Sequence, residues 1–153
     1  MNIVTTIDNY DNNHVFFTDP IQNTVINDSD FVRIVYSNND IILNGVYLYI
    51  SLSNITLEQY YNKYKCVFCK KINSIVIGQL EKIEKNILCK YVTSKTPEYS
   101  IHNQIMNGYI KIFTNSPAKY KSDNNIQLIL KISGIWENDN TYGVTFKFIP
   151  IEQ

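Results

Sequence analysis

An α+β fold with a mostly antiparallel sheet follows from three features of the sequence. Short runs rich in β-branched and aromatic residues recur on both sides of the chain's middle. One segment alone, Ile72–Lys90, repeats apolar residues at helical spacing. Strands and helices do not alternate regularly, which argues against a doubly wound parallel sheet. The expected order is three strands, one long helix, then three strands. An OB-like barrel is the preferred version, and an open antiparallel sheet with one packed helix fits as well. A length of 153 residues without linker or internal repeat suits a single domain, 1–153.

Residues 1–13 are polar and asparagine-rich and read as a mobile lead-in. Val15-Phe16-Phe17 reads as a short strand stopped by Asp19-Pro20, and Phe31–Tyr36 as a longer one followed by the turn Ser37-Asn38-Asn39-Asp40. In Val46–Leu52 the alternation places Val46, Leu48 and Ile50 on one face and Tyr47 and Tyr49 on the other. Thr56 with Gln59 three residues later matches a capping box, which predicts a short helix to about Tyr64. The long helix carries Ile72, Val76, Leu80, Ile83 and Ile87 on one stripe, with Glu81 and Lys85 as an i,i+4 pair. A helical turn closed by Gly108 follows Pro97. Tyr109–Phe113 alternates as a strand with Ile110 and Ile112 inward, and residues 114–125 form a polar loop. Ile126–Ile132 is a strong strand, the segment Trp136–Tyr142 turns the chain, and Val144, Phe146 and Phe148 face inward on the last strand.

The formal net charge is zero, yet the charges are segregated. Residues 1–58 hold seven acids and Arg33 as the one base, whereas residues 59–131 hold twelve lysines and four acids. A balanced total therefore conceals a basic and an acidic region. No apolar run approaches the ~20 residues that span a bilayer, and the N-terminus lacks the basic and apolar regions of a signal peptide. Cys66, Cys69 and Cys89 are expected as free thiols.

Cys66-Val67-Phe68-Cys69, with Cys89 and His102, supplies four potential zinc ligands. Only one pair is close, however, and structural zinc favours two, so no metal site and no cofactor is expected. His14 and His102 lack a neighbouring nucleophile motif, and the five glycines are isolated, so neither a catalytic set nor a phosphate-binding loop can be nominated. A non-catalytic role is the expectation. The informative constellation is aromatic and basic: Tyr47 and Tyr49 on one strand, Tyr109, Lys111 and Phe113 on another, and Lys119-Tyr120-Lys121 in the loop. Aromatic rings set in a positive groove hold single-stranded nucleic acid by stacking and phosphate contacts. The competing reading is a structural or protein-interaction module of a virion or replication complex, since exposed tyrosines serve protein interfaces equally well.

Several stretches carry a family resemblance. They are Phe17-Thr18-Asp19-Pro20, Phe31–Ser37, Leu43–Leu48, Lys63–Cys66, Ile83–Leu88, Leu130–Glu137 with its Gly134-Ile135-Trp136-Glu137 segment, and Tyr142–Phe148. Together they resemble a family of small proteins of giant nucleocytoplasmic large DNA viruses, of the mimivirus and phycodnavirus kind. The resemblance implies a viral origin and a setting in the host cytoplasm (the viral factory) or the virion, and it assigns no site residue.

Overall fold

The computed structural model describes residues 4–22, 28–114 and 124–151. The chain is α+β and mostly antiparallel, as the sequence predicts. Its spine is β11 (Asn125–Glu137), a strand of 13 residues. One edge of β11 pairs with β12 (Thr141–Pro150) along nearly its whole length. The other edge is divided. Asn125–Ile132 pair with β6 (Val46–Ser53), and Gly134–Glu137 pair with β4 (Asp30–Ser37).

The edge changes partner at a β-bulge. Ile132 faces Phe146 and Gly134 faces Thr145, so Ser133 is the extra residue. A side chain at Gly134 would drive its Cβ into the Val32 carbonyl and the Phe31 ring. Gly143 is covered in the same way, since a Cβ there would lie 2.7 Å from Cζ2 of its cross-strand partner Trp136. Both glycines thus let an aromatic ring lie flat on the sheet.

Short strands finish this nine-stranded sheet. β1 (Thr5–Thr6) runs parallel to β6, and β9 (Thr96–Pro97) runs parallel to β12. β2 (Val15–Phe17), β3 (Ile21–Gln22) and β5 (Ile42–Leu43) pair with β4. Of the expected mobile lead-in 1–13, the described residues 4–13 are seated on the body. Tyr10 stacks on Tyr36, the Asn12 amide donates to the Asn86 carbonyl, and Lys90 donates to the Asn12 carbonyl.

A second, three-stranded sheet is made of β7 (Ile55–Tyr60), β8 (Lys63–Phe68) and β10 (Tyr109–Ile112), in the order β10-β8-β7. Two expectations are corrected here. Residues 56–64 form a hairpin and no helix, because Ile55 and Leu57 face Phe68 and Cys66 across the ladder and bury together. The sheets also do not close into an OB-like barrel. β7, β8 and β10 pair with one another and leave the large sheet open.

The long helix α1 spans Ser74–Lys90 and begins two residues after Ile72, which is 55% exposed. Asn73 fixes its start. The buried Asn73 side chain exchanges two hydrogen bonds of 2.9 Å with the Ser53 backbone and donates a third to the Cys69 carbonyl. Leu80, Ile83, Ile87 and Leu88 are buried as α1 packs on β6 and β12. Each contributes about 1.5–3 kcal/mol relative to exposure. The expected Glu81–Lys85 pair does not form; the Glu81 carboxylate turns to His102 instead. The short helix α2 (Ser100–Met106) touches α1, β10 and β12. The inner faces of both sheets and the two helices share one buried apolar cluster.

Two alanine substitutions should separate crowding from propensity. Gly134→Ala should lower stability by about 1–3 kcal/mol through overpacking. Gly78→Ala, on an exposed helix position with nothing within 4 Å, should raise it by about 0.5–1 kcal/mol. Urea unfolding of both variants measures the two signs.

Candidate functional site

Period-two alternation gives the small sheet two unlike faces. Inward it buries Ile55, Leu57, Cys66, Phe68, Ile110 and Ile112. Outward it presents Glu58 and Tyr60 from β7, Lys63 and Lys65 from β8, and Tyr109 and Lys111 from β10. Phe113, one residue past β10, is 61% exposed.

The lysines on this face lie among rings. The Lys65 ammonium is 4.7 Å from the Tyr60 ring centroid and 4.6 Å from that of Tyr109, and Lys111 is 5.8 Å from Tyr60. Each such contact contributes about 0.5–1 kcal/mol at exposed positions. Lys65 and Lys111 are directly opposed across the ladder, a like-charge placement that destabilises a sheet. Glu58 opposes Lys65 on its other side, yet Lys95 is the one lysine in an ion pair among the described residues. The ammonium groups of Lys65 and Lys111 are thus held beside aromatic faces rather than on a carboxylate.

At the hairpin tip Tyr61 has φ +55°, the left-handed region, and is 83% exposed. A bulky side chain there costs about 1–2 kcal/mol. Its ring lies edge-on to Tyr60 with centroids 4.8 Å apart.

The structure thus unites Tyr109, Lys111 and Phe113 and adds Tyr60, Tyr61, Lys63 and Lys65, which the expected helix had hidden. The alternation of Ile55 and Leu57, then of Tyr64, Cys66 and Phe68, was the signal that could have found them. Tyr47 and Tyr49 do not join this face. They lie on the outer face of the large sheet, where Lys131 sits 5.6 Å from the Tyr47 centroid. Lys119, Tyr120 and Lys121 lie outside the described residues.

Opposite charge collects elsewhere. Asp28, Asp30, Glu137 and Asp139, with Lys95, line a cavity of about 420 Å³. Burial tends to raise the Glu137 carboxyl. Hydrogen bonds from Tyr91 (2.7 Å) and Thr93 (2.8 Å), with Lys95 at 3.4 Å, outweigh it and hold the group below its ordinary range.

The cysteines and the His102–Glu81 pair make no catalytic set among the described residues. Cys66 is buried, and burial pushes its thiol up to about 12, so it is a poor nucleophile. Cys69 and Cys89 are exposed. Among the described residues no group of three or more His, Cys, Asp or Glu side chains could hold a metal ion. His102 is placed on α2, the helical segment expected between Pro97 and Gly108, and its Nδ1 lies 2.9 Å from Glu81 Oε1. Glu84 is fully buried beneath it. Its carboxylate accepts the Ile101 and His102 backbone N–H groups at 2.8 and 3.0 Å, capping the first turn of α2 from a neighbouring helix.

Burial raises the Glu84 pKa, and these two hydrogen bonds offset it only in part. A raised folded-state pKa means that the folded chain binds more protons than the unfolded one between the two values. The associated stability is therefore full below the unfolded value of about 4.3 and is lost as pH rises through the folded one. Denaturant titrations across that window should show this downward slope, and Glu84→Gln should flatten it. An unchanged slope in Glu84→Gln would assign it to another group.

Comparison with protein-family models, with curated proteins and with solved structures finds no match to this chain.

Proposed function

We propose that this protein is a non-catalytic single-stranded nucleic-acid-binding protein, acting through the outer face of the small sheet and without strong sequence preference. One observation carries the reading. Lys65 and Lys111 stand opposed, Lys65 between Tyr60 and Tyr109 and Lys111 beside Tyr60, and among the described residues no carboxylate takes either ammonium. A phosphate backbone would supply the missing negative charge, and the rings would stack bases. Stacking contributes about 1–3 kcal/mol per base and tolerates any sequence. In this reading Tyr60, Tyr109 and Phe113 stack, while Lys63, Lys65 and Lys111 hold phosphates. The acidic cavity, rich in carboxylates, would repel the strand and restrict it to the basic face. The resemblance to giant-virus proteins supports a cytoplasmic viral-factory or virion setting, where exposed single strands need protection.

A labelled oligothymidylate should bind at low salt. Three phosphate contacts at ~0.7 each predict a log–log salt slope of about −2. Combining Tyr109→Ala with Phe113→Ala should weaken binding about tenfold or more. Lys82→Ala and Lys85→Ala, on the exposed side of α1, should change it little. Indifference to the two aromatic substitutions would remove the reading. A stable protein complex with no oligonucleotide binding would favour the interaction-module alternative.

Tyr61 supplies an independent check. Asparagine tolerates the left-handed region better than tyrosine, so Tyr61→Asn should stabilise the fold by about 1 kcal/mol. The same substitution should weaken oligonucleotide binding, because it removes an exposed ring from the tip. Thermal unfolding and anisotropy on one preparation measure both, and a stabler variant with unchanged affinity would exclude Tyr61 from the interface.

A further inference from the structure

The outer face of the large sheet repeats the chemistry of the small one. Tyr47, Lys131 and Lys147 form one cross-strand row over β6, β11 and β12. Tyr49, Ile129 and Ile149 form the adjacent row. Lys131 and Lys147 are directly opposed, as Lys65 and Lys111 are. The paired stretches 46–53, 125–132 and 143–150 contain no Asp or Glu at all. Lys131 turns its ammonium toward Tyr47, and Lys147 is exposed. Opposed lysines have Cβ atoms about 4.5–5.5 Å apart and repel. Two such pairs, one per sheet and each beside tyrosines, put lysines that form no ion pair among the described residues next to aromatic surface twice in one chain. The inner faces of both sheets point into the same buried cluster, so the two outer faces are separate surfaces.

We infer that the outer face of the large sheet is a second binding site for single-stranded nucleic acid. Lys131 and Lys147 contact phosphates there, and Tyr47 and Tyr49 offer rings to bases. The inference takes its ligand class from the function proposed for the small sheet, but its residues are distinct. Each chain then holds two short strands.

Native mass spectrometry of the full chain with a short oligothymidylate at low salt counts the strands. Two per chain are expected. Lys131→Ala combined with Lys147→Ala should leave one, Tyr109→Ala combined with Phe113→Ala should also leave one, and all four together should leave none. A single strand that survives the lysine pair of substitutions overturns the second site and leaves the small-sheet reading standing. A single strand lost only with the lysine pair supports the second site and overturns the small-sheet reading. No strand on the unaltered chain overturns both. Stability gives a separate readout: Lys147→Thr relieves the repulsion and should raise Tm by about 1–3 °C. A lower Tm would overturn the like-charge premise.

Discussion

The length of β11 is the constraint on which this structure depends. At 13 residues it is longer than any one neighbour on its divided edge can cover, so β6 and β4 share that edge in succession. The exchange needs a place where the strand can bend and a second backbone can come close. The bulge at Ser133 provides the bend, and Gly134 provides the room under Phe31. Downstream, Trp136 covers Gly143 and Glu137 receives Tyr91, Thr93 and Lys95. One strand therefore organises the apolar core at its first end and the acidic cavity at its last.

The two sheets are paired separately and meet through their inner faces. Most of the apolar surface faces one shared interior, and the outer sheet faces retain lysines and tyrosines. A sheet surface that only needed solvation would intersperse both charge signs. Here Lys65 and Lys111 face each other in register on one sheet, with Glu58 on the other side of Lys65, and Lys131 and Lys147 do so on the other; the ammonium groups of Lys65, Lys111 and Lys131 rest against rings. Such contacts relieve part of the repulsion and leave the positive charge available to a polyanion. The acidic cavity gathers part of the negative charge that balances the lysines of the sheet faces, so a chain of zero net charge can still carry clustered lysines.

Much of this was legible from residue pattern. The alternation in Val46–Leu52, Ile126–Ile132 and Val144–Phe148 reports burial on one face of an open sheet, and all three stretches are strands with that face inward. The stripe Leu80, Ile83 and Ile87 gave α1, and Tyr109 and Lys111 do share a face, with Phe113 exposed one residue beyond the strand. What failed was local chemistry overruled by partners distant in sequence. Thr56 and Gln59 match a capping box, but Ile55 and Leu57 bury more apolar surface against Phe68 and Cys66 than an isolated short helix could. Ile72 fits the helical stripe and is nonetheless exposed, because Asn73 binds the Ser53 backbone and sets the helix start. Tyr47 and Tyr49 have the right residue types for the small-sheet face but belong to the other sheet. Sheet membership is a property of pairing that alternation does not encode.

We propose that opposed lysines flanked by tyrosines receive a nucleic-acid strand. The most direct measurement is an NMR titration of the labelled protein with unlabelled oligothymidylate, following aromatic ring and lysine side-chain resonances. Binding on the small sheet should produce upfield ring-current shifts at Tyr60, Tyr109 and Phe113, with concurrent changes at Lys65 and Lys111, all reversed by added salt. Shifts confined to α1 or to residues around Glu137, or a spectrum unchanged at low salt, would contradict it.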